Sequence, residues 1–176
     1  MIQRLVEDIN KALDNECYFS ALALALTLPD ACGKAEYKIE GAKRYKEWCK
    51  EYVCKTENSD SPYSADMPYL SDEITYQLRC LLLHQNTPNV NSSRISEDRC
   101  KVDKFVLCIS DDPFLDNGTS MVSYGAGMKI VERSYEISIQ YLCHILCKSA
   151  IRYYKENREK FDFINFHLID KRKEEC

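Results

Sequence analysis

The chain has no apolar run approaching the ~20 residues needed to cross a bilayer. Its most apolar segment, Ala21 to Leu28, is too short. It also lacks the plan of a secretory leader, because Glu7 and Asp8 come early in the run that starts at Met1. The expectation is a cytoplasmic protein without membrane contact. Positive charge is not in excess: the formal net charge is -4, which argues against a general nucleic-acid coat protein but leaves room for a local basic site. There is no Gly-rich phosphate loop, HExxH, GxSxG or EF-hand pattern to carry nucleotide, zinc-protease, serine-hydrolase or calcium chemistry. Internal repeats and low-complexity tracts are absent, and no composition shift splits the chain.

Cysteine, by contrast, is plentiful at ten residues. In a small secreted chain that would suggest disulfides, but nothing here implies secretion. Cys17, Cys49, Cys80, Cys108, Cys143 and Cys147 sit at apolar positions and read as reduced core residues. The nearest approach to a metal pattern is Cys143-His144-Ile145-Leu146-Cys147. A zinc site there needs about two more ligands, and no CxxC knuckle supplies them, so core packing is the default. His144 has no acid or serine at useful spacing and reads as a core or surface histidine, and His167 lies in an apolar alternating stretch. At 176 residues, 45% hydrophobic and 30% charged, the chain suits one folded domain, residues 1–176, with its own core.

Apolar periodicity supplies the elements. Ile2, Leu5, Val6, Ile9, Ala12 and Leu13 mark an amphipathic helix ending near Asp14. Tyr18 to Leu28 reads as a buried helix stopped by Pro29-Asp30, with Gly33 at a turn. A third helix is expected from about Glu36 to Val53, with Tyr45, Trp48, Cys49 and Tyr52 inward and Lys43, Lys46 and Lys50 outward. Gly41 inside it costs about 1 kcal/mol relative to Ala, which points to a close packing contact. A fourth helix runs from a Ser71 cap to Gln85, with Ile74, Leu78, Leu81 and Leu82 as its core stripe. Lys104 to Ile109 reads as a strand, followed by a turn at Asp116-Asn117-Gly118 and returning segments near 121–124 and 128–131. The last long helix is expected from a Ser134 cap, with Ile137 and Tyr141 on its stripe. Its Lys/Arg run from Lys148 to Lys160 reads as a solvated face. A short strand is expected over 161–168. The fold class is therefore mainly α: a bundle of about five helices with a small antiparallel β appendage, inserted at about 102–132.

The chemistry-bearing stretch is Arg79-Cys80-Leu81-Leu82-Leu83-His84 at the end of the fourth helix. This R-x4-H arrangement in a helical bundle resembles the HEPN superfamily. The run Leu-Arg-Cys…Leu-Leu-His before a Pro-containing loop is also similar to an uncharacterised bacterial HEPN-like family. The resemblance covers the helical part and leaves the strands unaccounted for. It implies metal-independent RNA cleavage at a dimer groove, with no cofactor. His84 would move a proton, and Arg79 would hold the phosphate and its developing charge. An ideal helix parts positions five apart by roughly 140°, so a homodimer would be needed to gather both side chains, meeting along Tyr76, Cys80 and Leu83. Lys43, Arg44 and Lys46 would then guide the RNA backbone. Active members usually carry Asn, Asp or His after the arginine, where this chain has Cys80. That departure and the net acidity favour the alternative: a non-catalytic module binding RNA, nucleotide or a protein partner, such as a factor in phage–host conflict or a toxin–antitoxin system. The plain structural reading is that Arg79 pairs with Glu73, Asp72 or another nearby acid, and that His84 satisfies carbonyls in the last helical turn.

Overall fold

Residue pattern sets the helices, and packing then decides where they stop. The computed structural model describes residues 1–54, 70–85, 87–91, 93, 95, 101–110, 119–163 and 171. Helix α1, Ile2–Asp14, buries Ile2 and Ile9 and lies against α2, Tyr18–Ala25, which buries Ala21, Leu22 and Ala25. Pro29 does not end the helical region. It sits in the first turn of a new helix α3, Leu28–Glu36, where its missing N–H costs nothing.

The expected helix over 36–53 is two pieces. Tyr37 is extended, and α4, Gly41–Cys49, begins afresh at Gly41 with φ +65°. Gly41 is exposed, and a Cβ there would meet nothing within 4 Å, so the glycine is required by backbone conformation, not by packing. The close contact falls at Gly33 instead, inside α3. A Cβ on Gly33 would lie 2.9 Å from the Arg44 carbonyl oxygen, so α3 and α4 approach through it. A π turn, Lys50–Cys54, closes α4.

Helix α5, Asp72–Cys80, starts as expected: the Ser71 hydroxyl accepts from Ile74 N–H at 3.1 Å. It too ends in a π turn, Leu81–Gln85. The longest helix, α6, Ile139–Glu156, buries Leu142, Cys143, Ile145, Leu146, Cys147, Ala150 and Tyr153, and packs on α1, α2 and α3. His144, Lys148, Arg152 and Lys155 stand exposed on its other side. Helix α6 does not begin at Ser134. Residues 130–138 form a strand, and Ser138 is the cap, its hydroxyl accepting from Tyr141 N–H. Tyr135 and Ile137 belong to a period of two and are buried on the sheet.

The molecule is thus mainly helical with a small three-stranded sheet, as the sequence predicts, but the sheet is mixed and not antiparallel. Strand β1, Lys104–Cys108, runs parallel to β3, Ile130–Ser138, with Phe105 beside Tyr135. Strand β2, Thr119–Tyr124, runs antiparallel to β3, with Val122 beside Arg133. The order β1-β3-β2 means that the first two strands in sequence are not neighbours. The tight hairpin joins β2 to β3, where Gly127 (φ +73°) and Met128 (φ +59°) supply the left-handed residues. The strand expected over 161–168 does not begin at Phe161, because Arg158–Phe161 close as a 3-10 turn and residues 162 and 163 continue it as a turn. The Asp116–Gly118 turn and residues 164–168, His167 among them, lie outside the described residues.

One buried cluster joins the helices to the sheet. Trp48, the only tryptophan, stacks on Tyr52 at 5.4 Å and meets Tyr153 edge-on at 6.0 Å. The thiols at Cys32, Cys49, Cys54, Cys143 and Cys147 are buried, whereas Cys17 is exposed. Burial pushes the Cys147 thiol up to about 11, which leaves almost no thiolate at neutral pH. We expect a thiol reagent to modify Cys17 in the native protein long before those five, as read by peptide mass mapping. Comparable rates would contradict this core.

The α6 end is tied down electrostatically. Tyr153 Oη and Lys160 Nζ both donate to Glu36 Oε2, each at 2.6 Å. The hydrogen bond from Lys160, then that from Tyr153, lowers the Glu36 pKa below its ordinary 4.5, against the effect of burial. A carboxyl depressed on folding stabilises the fold above its unfolded value, and that share is lost as the pH falls through the folded value. The urea midpoint should therefore fall between about pH 5 and pH 3, and less steeply in Glu36→Gln than in the parent. Equal slopes would show that Glu36 contributes nothing.

Candidate functional site

Arg79 lies in the last turn of α5, half-buried, with 20% of its side-chain surface exposed. It faces inward. Its Nε donates to Asp30 Oδ2 of α3 at 2.7 Å. Its guanidinium carbon is 5.6 Å from the centre of the Tyr45 ring on α4 and 5.9 Å from that of Tyr76 on α5. The two rings meet edge-on at 5.4 Å. Three helices thus close around one cation. Burial alone would lower the Arg79 pKa, but the Asp30 charge and hydrogen bond outweigh it, and the net shift is upward. Asp30 also sits in the first turn of α3, where the helix dipole favours a carboxylate. Beneath the cation, Tyr45 is fully buried and its hydroxyl has no hydrogen-bond partner among the described residues. Burial pushes its phenol well above the ordinary range.

His84 stands in the π turn and is exposed. The π turn begins two residues after Arg79, and His84 stays in solvent while Arg79 is turned inward.

The residues expected to line a dimer seam are partly covered by the chain itself. Tyr76 is half-buried against Tyr45, and Cys80 and Leu83 are half-buried. Burial, followed by the hydrogen bond with Cys80, raises the Tyr76 pKa. The three expected RNA-guiding cations do not converge. Lys43 is exposed. The Arg44 stem packs against Gly33, and its buried Nε has no hydrogen-bond partner among the described residues. Lys46 Nζ is paired with Glu73 Oε1 at 3.3 Å. Glu73 is thus engaged by Lys46, and the acid facing Arg79 comes from a helix 49 residues away in sequence. No spacing rule connects positions 30 and 79. The only local sign was an acid just after Pro29, where a helix N-terminus wants one.

A second concavity opens on the other stripe of α5. It is an apolar pocket of about 340 Å³ bounded by Leu78, Leu81 and Leu82, by Phe105 and Leu107 of β1, and by exposed Phe19. Among the described residues no titratable group lines it. Among the described residues no group of three or more His, Cys, Asp or Glu side chains is placed to hold a metal ion. No helix among them is long and apolar enough to cross a membrane.

Comparison with known proteins adds no further constraint: no family model, no curated protein and no solved structure matches this chain.

Proposed function

We propose that this chain is a non-catalytic helical module that works by contact with protein and does not cleave RNA. The supporting observation is the Arg79–Asp30 ion pair at 2.7 Å, braced by two tyrosine rings. A guanidinium that is to hold a phosphate must present its charge to the ligand. Here that charge is already matched by a carboxylate of the same chain, and Lys46 is matched by Glu73 in the same way. A phosphate arriving at Arg79 would have to displace Asp30 or bind beside it against its negative charge. The net charge of -4 works in the same direction.

A second reading, the HEPN-like ribonuclease, is favoured by one feature: exposed His84 follows Arg79 at the R-x4-H spacing at the end of α5. One assay separates the two. The protein is incubated with mixed RNA in EDTA beside Arg79→Ala and His84→Ala. Our expectation is RNA loss no greater than in buffer for all three proteins. Loss with the parent protein that both substitutions abolish would establish the nuclease and overturn our reading.

A further inference from the structure

We draw no further inference here: the strongest candidate, the apolar pocket of about 340 Å³ between the end of α5 and β1 with exposed Phe19 at its edge, carries nothing because nothing in the structure shows what covers it.

Discussion

Trp48→Ala should lower the stability of the fold by about 3–5 kcal/mol, the usual cost of emptying a large aromatic site in a packed core. Trp48 is fully buried, stacked on Tyr52 from the π turn that closes its helix and wedged against Tyr153 of α6. Those rings pass the contact on: Tyr52 lies 4.9 Å from Tyr153, and Tyr153 lies 5.8 Å from Phe161. Losing the indole therefore opens a void at the junction of α4 and α6, where stiff rings on both sides limit collapse. For a chain of this size the melting midpoint should drop by roughly 6–20 °C. Trp48→Phe should cost less, because it keeps a ring and deletes an indole N–H that is buried without a partner among the described residues. If Trp48→Ala melts within a few degrees of the parent, α4 and α6 are not joined through this residue.

Arg79→Ala should cost about 2–3 kcal/mol, between the small value of an exposed pair and the 3–5 kcal/mol of a fully buried one. The pair is neither: 20% of the Arg79 side chain and 32% of the Asp30 side chain remain exposed. Two losses add together. Asp30 keeps its place at the α3 N-terminus but loses its cation. The rings of Tyr45 and Tyr76 lose the flat guanidinium packed on them, a contact of about 0.5–2 kcal/mol. Arg79→Lys should recover only part of this, since an ammonium is neither planar nor able to donate from Nε while covering two rings. His84→Ala should leave stability within about 0.5 kcal/mol of the parent, as expected of an exposed side chain away from caps and core. This asymmetry separates the two halves of the R-x4-H pair, which a ribonuclease would need equally.

The helices were legible wherever apolar spacing and a capping residue agreed. Ser71 with Ile74, Leu78 and Leu81 defined α5, and Ile2 with Ile9 defined α1. Expectations went astray where one residue type serves two structures. Pro29 reads equally as a stop and as a first-turn residue, and Gly41 reads as a packing gap when its use is a positive φ. Ser134 reads as a cap, yet the segment from 130 to 138 is a central strand. Pairing on both sides outweighs local preference there, and pairing partners do not show in a single stretch of sequence. The parallel β1–β3 pair was hidden for the same reason. In the site, Tyr76 and Leu83 were visible on α5 with Arg79 beside them, and Tyr45 was visible only as an inward residue of its own helix. Asp30 was not, because the contact joins two helices across 49 positions.

The most direct test of the account is a double-mutant cycle on stability, from urea unfolding of the parent, Arg79→Ala, Asp30→Ala and the double variant. If Arg79 is a structural cation held by Asp30, the pair should show a coupling of about 1–3 kcal/mol, with the double variant far less damaged than the sum of the single ones. Additivity within about 0.5 kcal/mol would mean that the two side chains act independently. Arg79 would then be free to serve a ligand.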